Sequence, residues 1–188
     1  MKYECIGFLE LATIAKGIEV TDALFKKATV NLIFAYPVSP GKYLTCFGGE
    51  VEEVRSSLRT GKEIAKGSLI GSFTIPNLHE DISLAFNKKI EIKDIEALGI
   101  FETVTCANCI LAADAALKTS KVQLIKLHLG KGIGGKGCFV ITGEVEDVES
   151  SMLAAVRVIK KQGIVEKIVI PNASTELSAI FGVTGANF

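Results

Sequence analysis

The chain has 188 residues, 48% of them hydrophobic, with 21 basic and 21 acidic side chains and a formal net charge of zero. That balance excludes the basic footprint of a general nucleic-acid binder, and no run of eighteen apolar residues offers a membrane span. The mean hydropathy of +0.39 is high for so short a chain, so large subunit interfaces are expected beside a core.

The chain opens Met1-Lys2-Tyr3-Glu4-Cys5 and soon reaches Glu10, without the long apolar stretch and cleavage site of a secretion signal. Five cysteines, an odd number without disulfide-like spacing, suit a reducing cytoplasm. Cys5 to Leu9 reads as a short buried strand. Ile14, Ile18, Thr21, Phe25 and Ala28 then recur at helical spacing and mark an apolar helix face. Val30 to Tyr36 is a second strand, and a Pro/Gly loop leads to a third at Tyr43 to Phe47. Val51, Val54, Leu58, Gly61 and Ala65 form another helical stripe, and Leu69 to Ile75 closes the unit as a strand.

The same order then returns. Ile6-Gly7-Phe8-Leu9-Glu10 is echoed by Leu98-Gly99-Ile100-Phe101-Glu102, and Asp22-Ala23-Leu24-Phe25-Lys26 by Asp114-Ala115-Ala116-Leu117-Lys118, both 92 residues on. Gly49-Glu50-Val51-Glu52 returns at Gly143-Glu144-Val145-Glu146 after 94 residues, and Ile75-Pro76-Asn77 at Ile170-Pro171-Asn172 after 95. The second copy therefore gains two residues in a glycine-rich loop, the place where the copies would specialise. Its helix stripes are Cys106, Ile110, Ala113, Leu117, Ser120 and Val145, Val148, Met152, Ala155, Ile159. Its strands are Val122 to Leu129, Cys138 to Ile141 and Val165 to Ile170. Each copy reads β-α-β-β-α-β, the split βαβ of an α+β, ferredoxin-like fold. Two tandem domains are expected, residues 1–90 and 91–188, linked through His79 to Ile95. The tail from Ser178 to Phe188 has no assigned element.

Several motifs invite sharper readings. Gly130-Lys131-Gly132-Ile133-Gly134-Gly135-Lys136-Gly137 approaches a phosphate-binding loop. It lacks the Ser or Thr after the lysine, and a strand rather than a helix should follow. The glycines suit tight turning at positive φ. Cys106 and Cys109 form a CxxC without the two further ligands a zinc site needs, so packing is the better reading. His79 and His128 belong to no evident triad. Glu52-Glu53 and Glu146-Asp147 fall in first helical turns, where negative charge favours the dipole. Lys26 and Lys118 stand near helix ends, where a cation suits it.

The repeat resembles the bacterial microcompartment shell domain. The matching segments are Ile6 to Glu10, Asp22 to Lys26, Val38 to Lys42 and Gly49 to Val51, then Leu98 to Glu102, Asp114 to Lys118, Gly130 to Lys136 and Gly143 to Val145. Both copies open on the Ile-Gly-x-x-Glu-like strand, which resembles the tandem class in unpermuted order. The segments 9 to 17, 39 to 42 and 132 to 136 are most similar to the tandem shell proteins of propanediol-utilising compartments. That resemblance implies a homotrimeric, pseudo-hexagonal tile in the shell of a cytoplasmic compartment, and no catalysis. It implies a central pore lined by Val38, Ser39, Pro40 and Gly41 and by Gly130, Lys131, Gly132, Ile133 and Gly134. Lys26 and Lys118 would lie at the tile edge. The implied partners are other shell proteins, encapsulated enzymes and small metabolites crossing the pore, with no nucleic acid and no membrane.

Two departures stand out. The similar subclass carries an iron–sulfur cluster on a loop cysteine where this chain has Ser39, a poor substitute for a thiolate. No cofactor or metal is therefore expected. Asn77 and Asn172 replace an arginine common after the Ile-Pro of the family. A redox conduit with a cluster in the pore is the alternative function, and a small-molecule sensor or nucleotide-binding regulator on the same fold is a third.

Overall fold

A computed structural model describes residues 3–87, 95–174 and 176–177. The first copy runs β1 (Cys5–Leu11), α1 (Ile14–Lys27), β2 (Asn31–Val38), β3 (Lys42–Gly49), α2 (Val51–Ala65) and β4 (Leu69–Pro76). After α3 (Glu80–Phe86) the second runs β5 (Ala97–Thr103), α4 (Cys106–Leu117), β6 (Gln123–Leu129), β7 (Gly137–Gly143), α5 (Val145–Val158) and β8 (Ile164–Ile170). The strands form two four-stranded sheets, ordered β2-β3-β1-β4 and β6-β7-β5-β8. β1 pairs antiparallel with both β3 and β4, and β2 antiparallel with β3. β1 and β2 are thus parallel with β3 between them, the split βαβ read from the repeat.

By contact the chain divides into two compact units. The first is Met1–Leu78 together with Thr105–Ala107 and Leu129–Lys136; the second is His79–Val104, Asn108–His128 and Gly137–Phe188.

In the first unit β1 is central, and all seven of its residues are buried. Strand alternation sends Cys5, Leu9 and Leu11 to one face, where they pack with Val20, Leu24, Phe47, Val54 and Leu58. Ile6, Phe8 and Glu10 take the other face, and Phe8 stacks on Phe73 with centroids 5.1 Å apart. Burying each large apolar side chain stabilises by about 1.5–3 kcal/mol. The buried positions of α2 and α5 include Val54, Leu58, Gly61, Ala65 and Val148, Met152, Ala155, the faces expected from their spacing.

The first helix departs from expectation. Its buried residues are Gly17, Val20 and Leu24, whereas Ile14 and Ile18 are 41% and 55% exposed. α1 has two apolar faces, and its own sheet covers only one. In α4 both faces are covered. Cys106, Ile110 and Ala113, which stand where α1 has Ile14, Ile18 and Thr21, are wholly buried, as are Cys109, Ala112 and Ala116.

Both copies bring the first helix very close to the third strand, by opposite means. A Cβ added at Gly17 would fall 2.4 Å from Cβ of Tyr43, at the start of β3. The repeat places Cys109 where Gly17 stands and Gly137 where Tyr43 stands. A Cβ added at Gly137 would fall 2.3 Å from Cβ of Cys109. The small partner belongs to the helix in one copy and to the strand in the other.

The segment read as a linker contains α3, which belongs to the second unit. His79 Nδ1 accepts from the Asp81 amide at 3.3 Å, so this histidine caps a helix. The His79 amide donates to Asp114 Oδ1 at 2.9 Å, and the Leu124 amide donates to Asp81 Oδ2 at 3.0 Å. The rest of that linker, residues 88–94 with the 90/91 boundary, and the tail from Ser178 to Phe188 lie outside the described residues.

Candidate functional site

Two loops meet in the first unit. The first leaves β2 at Val38, passes Ser39 and Pro40 through a cis peptide, and enters β3 at Lys42. The Gly41 amide donates to the Val38 carbonyl at 2.9 Å and closes a turn. Gly41 has φ +103°, which a side chain would resist even though space is open around it. Ser39 and Pro40 are exposed and Val38 is buried.

The second loop connects Leu129 to Gly137 and has four glycines at positive φ: Gly130, Gly132, Gly134 and Gly135. The Gly130 amide donates to the Lys136 carbonyl at 2.8 Å, and the Gly135 amide donates to the Gly130 carbonyl at 3.3 Å. The loop folds on its own backbone. Lys131, Gly132 and Gly134 are exposed, Ile133 is half-buried and Gly135 is buried. A strand, β7, follows Lys136, so the loop has no following helix to hold a phosphate.

The loops touch at two places. A Cβ at Gly130 would reach Val38 Cβ at 2.9 Å, and a Cβ at Gly135 would fall 2.4 Å from the Ser39 carbonyl oxygen. Of the residues expected to line a pore, Val38, Ser39 and Gly130 are therefore brought together.

Beneath the loops lies a polar clamp. Glu10 has no exposed surface. Its Oε1 accepts from Lys42 Nζ at 2.9 Å, and its Oε2 accepts from the Ala107 amide at 3.0 Å. Lys42 Nζ also donates to the Gly135 carbonyl at 3.1 Å. A cation on one oxygen and a first-turn amide on the other make the buried carboxylate tolerable. The Glu10–Lys42 pair thereby ties β1 to both loops and to the start of α4. Cys106 Sγ donates to the Lys136 carbonyl at 3.5 Å. Burial pushes this thiol up to about 12; the Glu10 charge adds to the rise, and Lys42 and a backbone hydrogen bond oppose it. Burial likewise raises Tyr36 to about 12, helped by Cys106 and Cys46, and raises Cys46 and Cys138. Such thiols are protonated at neutral pH and poor nucleophiles. The CxxC pair serves packing: Cys106 lies against the loop and Cys109 against Gly137.

Lys26 and Lys118 lie away from the loops, near the C-terminal ends of α1 and α4. Each pairs with the aspartate four residues earlier at 2.6 Å. The Lys26–Asp22 pair is exposed, while Asp114 is largely buried and also holds the His79 amide.

No cluster of three or more His, Cys, Asp or Glu able to hold a metal occurs among the described residues. The first loop offers one hydroxyl, Ser39, and no thiolate, and the cysteines lie in β1, β3, α4 and β7. That donor set does not fit an iron–sulfur cluster.

The sequence named both loops and both lysines as candidates. It did not point to the Glu10–Lys42 clamp, although a glutamate inside a run as apolar as Cys5–Leu11 is itself a signal that a cation must be near.

The BMC domain family model matches residues 5–78 and again 97–173. The bacterial microcompartment shell protein PduT of Citrobacter freundii is 40% identical over 169 residues, 89% of this chain and 92% of that protein. The carboxysome shell protein CcmK2 of Synechococcus elongatus is 27% identical over 81 residues, 41% of this chain and 79% of that protein. A crystal structure of a microcompartment protein from Desulfitobacterium hafniense superposes with TM-score 0.82 at 41% identity, covering 93% of this chain and 98% of that one. The fused permuted hexameric shell protein of the RMM microcompartment superposes with TM-score 0.63 at 21% identity, over 81% of this chain and 82% of that one, a likeness of fold.

Proposed function

The chain belongs to the BMC-domain family of bacterial microcompartment shell proteins, and from that premise we propose that three copies close into a pseudo-hexagonal tile pierced by a pore. Its role is structural, in the shell of a bacterial microcompartment, and no residue of the tile carries out catalysis. One observation supports the pore above the others: the loops of the two copies meet at Val38–Gly130 and Ser39–Gly135, over a buried clamp that holds both. Threefold repetition alternates the loops around an axis. Val38, Ser39, Pro40 and Gly41 then line the pore together with Gly130, Lys131, Gly132, Ile133 and Gly134.

Three Ser39 hydroxyls offer hydrogen bonds without a site for a soft metal, which disfavours the redox-conduit reading. Three Lys131 side chains at the rim favour anionic metabolites over cations. Lys26 and Lys118 serve the tile edge, where other shell proteins abut, and encapsulated enzymes lie behind the tile.

Native mass measurement should give three chains, and class averages of single particles should give a hexagonal outline with a central opening. In planar bilayers, wild type should prefer anions and Lys131→Glu should reverse the preference. A monomer at all micromolar concentrations would defeat the tile. An unchanged ion preference would remove Lys131 from the pore.

A further inference from the structure

The first unit contains a worked example of how one copy of the repeat receives the helix of another. Thr105–Ala107, which includes the first residues of α4, belongs to that unit. It is held by Glu10, whose Oε2 accepts from the Ala107 amide. Ala107 also approaches β4 so closely that a Cβ at Gly71 would lie 2.7 Å from its methyl. Cys106 is covered there as well.

Every part of this contact has a repeat counterpart. Glu102 stands for Glu10, Lys136 for Lys42, and Thr13-Ile14-Ala15 for Thr105-Cys106-Ala107. β5 and β7 present Glu102 opposite Cys138, as β1 and β3 present Glu10 opposite Leu44. The helix that would complete the second contact is α1, and its N-terminus is bare: residues 12–15 are exposed. No acidic residue occupies its first turn and the Thr13 side chain makes no cap, so its leading amides want an acceptor. Ile14 and Ile18, at 41% and 55% exposure, stand where Cys106 and Ile110 are wholly buried. On the receiving side, Ile168 of β8 is 48% exposed where its counterpart Phe73 is 8% exposed.

We infer that Glu102 and Lys136 of one chain clamp the N-terminus of α1 of a second copy, with Glu102 accepting from the Ala15 amide and Ile14 and Ile18 buried in the joint. The donor surface is on the first copy of the repeat and the acceptor surface on the second. The contact is therefore head-to-tail, and it closes only as a ring. The inference rests on the threefold tile proposed above and names what joins its members. One position differs. Glu166 replaces Gly71, and its Oε1 accepts from the Lys167 amide on its own strand. At that point α1 rests against a longer side chain than α4 does.

Full-length wild type, Glu102→Gln, Glu102→Ala and Ile18→Asp would be compared by sedimentation over a concentration series, with far-UV circular dichroism as the control for folding. Ile18→Asp alters a residue that is exposed in the single chain, so it keeps the test open if Glu102→Ala fails to fold. Expected are a wild-type trimer and, for Glu102→Ala and Ile18→Asp, a rise of at least tenfold in the concentration at which trimer forms. Glu102→Gln, which keeps an acceptor oxygen, should fall between. A photo-crosslinking residue at position 18 should join two chains, with the peptide carrying Glu102 or Lys136 at the other end. Trimerisation by folded Ile18→Asp at wild-type concentration, or crosslinks mapping elsewhere, would overturn the inference and leave the tile standing. A wild-type monomer throughout would overturn both.

Discussion

Replacing Lys42 with methionine tests the clamp most directly. Methionine keeps much of the lysine stem's apolar volume and removes the ammonium. Glu10 is wholly buried, and its Oε1 and the ammonium are 2.9 Å apart. At an effective dielectric of about 20, that separation corresponds to a gross attraction of about 6 kcal/mol, most of it offset by desolvation. Losing one member of a buried pair costs about 3–5 kcal/mol, because the remaining charge has lost its partner. The Gly135 carbonyl also loses a donor from Lys42 Nζ. Urea unfolding of the full chain at pH 7.5, at one fixed protein concentration, should give a destabilisation in that range. Glu10→Gln together with Lys42→Met removes both charges and keeps an acceptor for the Ala107 amide. The pair should therefore lose at least ~2 kcal/mol less than the sum of the single variants. A loss under ~1 kcal/mol for Lys42→Met, or additivity within ~0.5 kcal/mol, would refute the view that the loops are held through this pair.

Gly17→Ala should cost about 2–3 kcal/mol by overpacking against Tyr43, and Gly17→Cys with Tyr43→Gly, which reproduces the pairing of the second copy, should cost less than its parts in the same assay. At pH 8 a thiol titrating near 12 is ionised in only about one molecule in ten thousand, so Cys106 should resist a disulfide reagent in the native protein and react in urea; rapid native labelling would contradict its burial. Changing Lys26 and Lys118 together to glutamate should block sheets seen by electron microscopy while leaving the native mass unchanged; normal sheets would remove them from the edge. Anaerobic reconstitution should load iron onto Ser39→Cys and not onto wild type; equal iron per chain would show that the hydroxyl loop accepts a cluster.

The duplication made the fold legible, because two imperfect copies check each other's periodicity. β1 and β3 emerged because they are apolar and buried along nearly their whole length, and α2 and α5 because each has one dominant apolar face turned to its own core. α1 misled because it has two. The stripe from Ile14 to Phe25 is the more regular, yet its own core takes Gly17, Val20 and Leu24. A single chain's sequence does not reveal which apolar face meets its own sheet and which meets another surface. α3 was hidden inside a polar-looking segment because seven residues give too few turns for a period to register. The clamp escaped notice since it joins residues 10, 42, 107 and 135, whose proximity is a product of tertiary structure.

The exchange of small and large residues between Gly17–Tyr43 and Cys109–Gly137 also bears on the gene. Tandem copies of a coding sequence recombine, and gene conversion tends to make them alike. A crossover between the helix and strand codons would yield one repeat with Cys facing Tyr, where Gly17 already leaves no room for a Cβ. The reciprocal product would face glycine with glycine and leave a gap. Either recombinant carries a damaged repeat, whereas replacement of a whole repeat does not. The two halves of the gene can thus drift apart elsewhere while this one contact penalises partial homogenisation.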